Sequence, residues 1–353
     1  MSQRVAIVGA GVLGSAIGWR AAKAGFEITL IDPTPGQGAS AGSLAWLNAS
    51  FAEDPVYNRL RLDSMALWRD LKRANPDLPV SFPGAILWND RDADLAALTG
   101  PDPSLQQGAR ALTADQARDL DPALQNPPAT AVHAPQDGYG EPAQICRWFL
   151  ERARDSGAKL VESRVSKVDR ADGIWRIHMD SQELEADKLV LAVGTDLAAL
   201  LSQLGLAIAM KNKPGISVRT HKFESRLHHI LSTPEGDLWQ GPDGRFLIAA
   251  SPQDGESSET ASDRVLSQLR EILGEPDGLT PETIIERVRP VPADCRPAIG
   301  PIGAQGLYVV TTHSGMTLAP VIAEIVTSEL GGRPDPRLDP YRPARPALNG
   351  ASS

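Results

Sequence analysis

The stretch Arg4-Val-Ala-Ile-Val-Gly-Ala-Gly-Val-Leu-Gly-Ser-Ala-Ile-Gly18, followed by Glu27-Ile-Thr-Leu-Ile-Asp32, decides the fold. Arg4 to Val8 is a short apolar run with β-branched members, the pattern of a buried parallel strand. Gly9, Gly11 and Gly14 form G-x-G-x-x-G, and Gly18 extends the series. Gly9 permits the tight turn, Gly11 lets the backbone approach a pyrophosphate, and Gly14 lets the next helix pack close to the strand. The N-terminus of that helix supplies free N–H donors and a partial positive charge, which suits a phosphate. A second strand ends on Asp32, 23 residues after Gly9 and placed to accept hydrogen bonds from ribose hydroxyls. The motif follows a strand, opens a helix and meets its acidic partner, so it reads as a dinucleotide site. These residues leave NAD and FAD both open.

The 353-residue chain has 42% hydrophobic and 22% charged residues, ordinary for a soluble globular protein with material for a large core. A net charge of −9 and the lack of any Lys/Arg run argue against a nucleic-acid surface. Cys146 and Cys295 are the only cysteines, too few for a disulfide framework, and no Cys/His cluster has metal-site spacing. No apolar run approaches the roughly 18 residues of a membrane span. With a first strand at residue 4 there is no room for a signal peptide, and the expected setting is cytoplasmic and reduced.

Beyond Asp32, residues 33–38 form a turn, and small residues at 39–43, including Ser40 and Ser43, suit a cofactor-lining segment. Helical periodicity runs from 56 to 74 over Leu60, Met65, Leu67, Trp68 and Leu71. A short strand is expected over 79–88 and loop and helix pieces over 90–135, with Thr113 capping a helix. A helix is expected over 143–156, strands over 159–162, 165–170 and 175–179, and a buried strand over 188–194 ending on Gly194. Residues 215–252 read as antiparallel strands, with a turn at 241–244, and 262–273 as a covering helix. A strand over 284–289 leads into Pro290-Val-Pro-Ala-Asp294 and Gly300. A buried strand at 306–312 then turns through His313-Ser-Gly-Met-Thr317 into a helix over 318–330. Residues 331–353 read as a surface wrap and a loose tail.

Taken in order, these segments resemble the FAD-dependent D-amino-acid oxidase superfamily, which includes glycine and sarcosine oxidases. Gly9 to Asp32, Gly157 to Leu204, Arg289-Pro-Val-Pro-Ala-Asp294 with Pro297-Ala-Ile-Gly300, and Leu307 to Pro320 carry the likeness. The resemblance selects FAD over NAD. It implies an α/β fold, a Rossmann-type FAD-binding domain with a second substrate domain built on a large antiparallel sheet. By position, 1–50, 141–213 and 290–345 would bind FAD, 51–140 and 214–289 the substrate, and 346–353 would be a loose tail. Val165 would meet the adenine, Gly194 and Gly300 would lie along the cofactor, and Ser40 and Ser43 would sit near its ribityl chain. Gly315, Met316 and Thr317 would aim helix N–H groups at the flavin, where reduction places negative charge.

The resemblance further implies oxidation of an amine to an imine, with the cofactor carrying the hydride chemistry. The expected partners are a small amine or amino-acid substrate and oxygen or another electron acceptor. Arg289 matches the family arginine that pairs with a substrate carboxylate; a structural ion pair is the competing reading. His313 is a flavin or substrate contact or a packed histidine. Trp46, Asn48, Trp239 and Gln240 are candidates for the pocket wall, the two tryptophans equally for the core. His221, His228 and His229 read as ordinary surface residues. No lysine occurs after Lys222, so the lysine that sarcosine-oxidase-like relatives use for oxygen is missing. Cys295 stands too late in the chain to match their covalent flavin link, so non-covalent FAD is expected. The rival readings are a dehydrogenase using a quinone or partner subunit, and a flavin-binding subunit without turnover.

Overall fold

Strand Arg4–Val8 is paired in parallel on both sides, with Glu27–Ile31 and with Lys188–Leu191. The computed structural model describes residues 2–50, 54–89, 91–100, 102, 107–224, 226–274 and 278–348. The central strand belongs to a six-stranded sheet running Ala298–Pro301, Leu307–Thr311, Lys188–Leu191, Arg4–Val8, Glu27–Ile31, Lys159–Val161. Only the Ala298–Pro301 edge is antiparallel. Cover on both faces explains why the first strand is apolar from Val5 to Val8. Val5 and Ile7 face one core, with helices Val12–Lys23, Pro142–Asp155 and Gly315–Leu330. Ala6 and Val8 face another, with Trp175, Ile177, Leu197 and Leu201. A three-stranded sheet, Val165–Ala171, Ile174–Met179 and Glu183–Ala186, supplies that second cover.

The other large layer is an eight-stranded sheet. Its order is Pro281–Arg289, Lys213–Thr220, Phe246–Ala250, Asp237–Gln240, Ile230–Ser232, Ala85–Leu87, Thr130–Ala134, Arg110–Thr113. Its pairs are antiparallel except Ile230–Ser232 with Ala85–Leu87. Helix Ser258–Leu273 lays Val265, Leu266 and Leu269 against Val218, Phe246 and Ile248. Ser257 caps that helix through Thr260 N–H, and Gly274 ends it with φ +67°. A small sheet of Trp46–Leu47, Gly138–Gly140 and Val80–Ser81 stands apart from the two large ones.

Three expectations needed correction. The strand expected over 79–88 is two strands in different sheets, Val80–Ser81 and Ala85–Leu87, because the chain turns at Gly84 with φ +87°. The C-terminal wrap is not loose over its described part. It forms 3₁₀ turns at Pro336–Tyr341 and Pro346–Leu348 and buries Leu338, Tyr341 and Leu348. Residues 349–353 of the expected tail lie outside the described residues. His229 is not an ordinary surface residue: its Nδ1 lies 3.0 Å from Asp121 Oδ2, and Asp121 is fully buried.

Candidate active site

Two helix N-termini meet beside the carboxyl end of the central strand. A Cβ at Gly315 would stand 3.6 Å from Val12 and Leu13, so helix Gly315–Leu330 begins against the start of helix Val12–Lys23. Each start concentrates N–H donors and partial positive charge, and together they suit an anionic ligand. The glycine cradle is real. Gly9 has φ +98°, and a Cβ there would overlap the Ala192 carbonyl. At Gly14 it would overlap the Gly9 carbonyl, and at Gly11 it would come to 2.9 Å from Ser40 Oγ.

Asp32 accepts from Ala10 N–H at 2.7 Å through one oxygen and from Thr34 N–H at 2.8 Å through the other. That leaves lone pairs for ribose hydroxyls. Ser40 Oγ accepts from Val12 N–H at 3.1 Å, and Ser43 Oγ accepts from Ala45 N–H at 3.1 Å. Ala45 has φ +51° without being glycine, a bend held where the small-residue loop enters strand Trp46–Leu47. The chemistry of this donor set fits FAD. Gly9 to Val12 and the start of helix Gly315–Leu330 would hold its charged parts, and Asp32 its ribose.

Segment 46–50 is bolted in place from three sides. Thr317 Oγ1 donates to Trp46 O at 3.1 Å and accepts from Asn48 N–H at 3.4 Å. Trp46 Nε1 and Ser50 Oγ both donate to Asp137 Oδ2, at 3.0 and 2.8 Å. Arg61 donates to Asn48 Oδ1 and, at 2.7 Å, to Ser314 Oγ. Arg61 is 1% exposed. Burial lowers its pKa, and burial likewise pushes the Asp137 carboxyl up to about 7 despite its two donors and the nearby Arg61 charge. Sequence reading missed both residues. Arg61 did leave a signal: it falls in helical register with Tyr57, Ser64 and Trp68 on the buried face of Pro55–Ala74. Asp137 left none, since Gln-Asp-Gly reads as a plain turn.

The charge of Arg289 reaches His313. His313 is open to solvent but walled by protein on its other sides. Burial, then Arg289, Arg61, Arg91 and Lys213, push its pKa down to about 4, so the ring is neutral at pH 7. Arg289 donates through Nη2 to Pro214 O at 3.0 Å and Ser251 Oγ at 2.6 Å. Its Nε is buried with no hydrogen-bond partner among the described residues.

Other candidates sit elsewhere or are already engaged. Gln240 is 6% exposed, and its amide serves Leu227 N–H, Phe223 O and Gly244 O, so it braces its hairpin rather than lining a pocket. Trp239 is a core residue at 1% exposure, stacked on Tyr139 at 4.2 Å and donating to Leu44 O at 2.8 Å. The face of Gly300 where a side chain would stand is taken by Arg342 and Pro343, so the C-terminal segment accounts for that glycine. Gly194, with φ +57°, opens the 3₁₀ turn just past the central sheet, and Val165 starts its own strand beside Met179. Met316 is 7% exposed, and its carbonyl accepts from Trp68 Nε1 at 3.2 Å. Arg287, unforeseen, roofs the small-residue loop by donating to Gly38 O at 3.1 Å.

A cavity of about 650 Å³ lies at the opposite, amino end of the parallel strands, among Asp187, Lys188, Gly306, Tyr308, Glu329 and Arg342, and none of the candidate site residues lines it. Among the described residues no His/Cys/Asp/Glu group could hold a metal ion, and no helix is long and apolar enough to cross a membrane.

Comparison with known proteins adds a family and a fold. The family model described as FAD dependent oxidoreductase (DAO) matches residues 4–329. Glycine oxidase of Pseudomonas aeruginosa is 24% identical over 384 residues, covering 98% of this chain and 99% of that protein. A tRNA 5-methylaminomethyl-2-thiouridine biosynthesis bifunctional protein of Shewanella amazonensis is 27% identical over 217 residues, 58% of this chain; the match spans 32% of that longer protein. The crystal structure of glycine oxidase from Geobacillus kaustophilus superposes with a TM-score of 0.86 at 22% identity, covering 98% of this chain and 99% of that one.

Proposed function

The chain belongs to the DAO family of FAD-dependent oxidoreductases, and from that premise we propose that it oxidises the CH–NH bond of a small amino acid or N-alkyl amino acid to an imine. The observation that carries this reading is Arg289, braced by Pro214 and Ser251, with its charge reaching a neutral His313 just before the meeting of the two helix N-termini. FAD, when bound, supplies the hydride-accepting chemistry. The chain's own residues do the rest. Arg289 offers a carboxylate its Nη1 group, which has no partner among the described residues, while Pro214 and Ser251 hold the other arm still. Fixing one end of the substrate orients its α-carbon. The surrounding positive charge of Arg61, Arg91 and Arg289 disfavours a substrate ammonium, so the amine binds neutral, with the lone pair that imine formation needs. Thr317, Arg61 and Asp137 keep segment 46–50 rigid while this happens. The imine then hydrolyses to an oxo acid or aldehyde.

In this reading 1–50, 141–213 and 290–345 hold FAD without a covalent bond, and 51–140 and 214–289 hold the substrate. Two free cysteines support a reducing, cytoplasmic setting. The lack of any lysine after Lys222 favours an acceptor other than oxygen. Anaerobic mixing with an amine and amino-acid panel tests the proposal. Bleaching followed by rapid reoxidation in air marks an oxidase, and slow reoxidation a dehydrogenase. If no amine bleaches the flavin, the reading is lost.

A further inference from the structure

Three elements connect the candidate site to the cavity of about 650 Å³ at the amino end of the parallel strands. Strands Lys188–Leu191 and Leu307–Thr311 start in its wall, at Lys188, Leu307 and Tyr308. Helix Gly315–Leu330 ends in it, at Glu329 and Leu330. At about 1.5 Å per residue, that 16-residue helix puts roughly 24 Å between the cavity and its own start at the candidate site. The cavity is therefore separate from the substrate site, and its volume falls among those of small-molecule pockets, about 300–1,000 Å³.

The two carboxylates in its wall are already engaged. Asp187 accepts from Arg4, through the backbone N–H at 2.8 Å and Nη2 at 3.0 Å. Glu329 accepts from Tyr308 Oη at 2.6 Å, from Asp335 N–H at 3.0 Å and from Arg342 at 2.7 and 2.9 Å. Two cations in the same wall lack a carboxylate partner among the described residues. Lys188 Nζ donates to the Leu330 carbonyl, and Arg170 donates to the Gly173 carbonyl at 3.2 Å. Asp172, between Arg170 and Gly173, is exposed and does not line the cavity. Lys188 is half-buried, and burial lowers its pKa with no acid opposing it, a cost that a bound anion would relieve. Its ammonium has two protons left for such a ligand. Pro301, Leu307, Leu330 and Pro334 belong to the same wall, so apolar surface adjoins the two cations. We propose that this cavity is a second binding site, for a small amphipathic monocarboxylate, with the carboxylate on Lys188 and Arg170 and the apolar chain along Pro301, Leu307, Leu330 and Pro334. It does not depend on the amine-oxidation reading.

The test is isothermal titration calorimetry of the FAD-loaded protein with octanoate, octylammonium and acetate. Octanoate should bind about tenfold or more tightly than either, since octylammonium lacks the anion for a charge-assisted contact and acetate lacks the chain. Lys188→Gln should weaken octanoate about tenfold, and Lys188→Arg should retain most of the affinity. Lys188 also holds the end of helix Gly315–Leu330, so its loss could cost folding as well as binding. Arg170 is exposed, and Arg170→Glu supplies a second variant that should weaken octanoate by a similar factor. Arg289→Ala should keep octanoate binding, because the cavity lies away from that arginine. Octanoate held no more tightly than octylammonium or acetate, or held equally by wild type and both charge variants, would overturn the proposal. Loss of all octanoate binding in Arg289→Ala would overturn it too, by placing the carboxylate at the substrate site.

Discussion

Asp137 is a carboxyl group 3% exposed, held by Trp46 and Ser50, with its pKa raised to about 7 from the ordinary 3.8. Between those two values the folded chain binds a proton that the unfolded chain does not. Stability from this group therefore falls as pH rises from about 4 to about 7, and levels off above. Asp137→Asn keeps a neutral group of the same shape. Its Tm relative to wild type should climb across that window by several degrees, since the rise from 3.8 to about 7 corresponds to roughly 4 kcal/mol. A Tm difference independent of pH would refute the assignment. At Arg289 the expectation is kinetic. Arg289→Ala deletes a charge-assisted contact and should weaken a carboxylate substrate by roughly ten- to a hundredfold, with slower flavin reduction. Arg289→Lys keeps charge without the planar fork and should recover only part. The structure refines this, because Nη2 is already engaged by Pro214 and Ser251. The substrate meets an arm braced by protein, so the loss includes orientation as well as charge. The reading fails if reduction rates against substrate concentration coincide for all three proteins.

The strand–turn–helix unit from Arg4 to Lys23 ties local sequence to cofactor binding. Gly11 has ordinary backbone angles, and its glycine is required by space, since a side chain would crowd Ser40 Oγ. Gly11→Val should leave a folded protein that retains no flavin, read by the visible spectrum after gel filtration; full occupancy would mean the site lies elsewhere. Gly14 is stricter, with the Gly9 carbonyl against it, and should tolerate not even alanine. Thr113 closes a capping box with Gln116, as its sequence position led us to expect. Helix boundaries were less legible. Gly315–Leu330 starts three residues before the apolar run suggested, and Ser258–Leu273 four residues before. Each first turn, Gly315-Met-Thr317 and Ser258-Glu-Thr-Ala261, contains weak helix formers whose helicity depends on what lies beside them.

At the scale of the molecule, residues far apart in sequence share one core. Leu338 and Tyr341 from the C-terminal turns pack in the same cluster as Val5, Ile7 and helix Gly315–Leu330. Leu338→Ala should lower stability by about 2–5 kcal/mol, as for other fully buried leucines, and show as a clear drop in Tm; a surface wrap would show almost none. The flavin should come free when the protein is denatured with acid, since Cys295 is exposed beside Asp294, which is bound to Arg345; flavin staying in the precipitate would contradict non-covalent binding. The glycine spacing, the buried strand at Arg4–Val8 and the Arg-Pro and His-Ser-Gly-Met-Thr segments were enough by themselves to determine a dinucleotide fold and its family. These depend on short-range requirements, a turn only glycine makes and a run of apolar side chains that only a doubly covered strand can bury. Which polar groups are buried together was settled by tertiary structure alone. Arg61, Asp137, Asn48 and Ser314 come from four separate segments, and Lys213 meets Arg289 only through strand register. Their charge and protonation depend on distance and dielectric in the folded chain, and neither is written in any stretch of sequence.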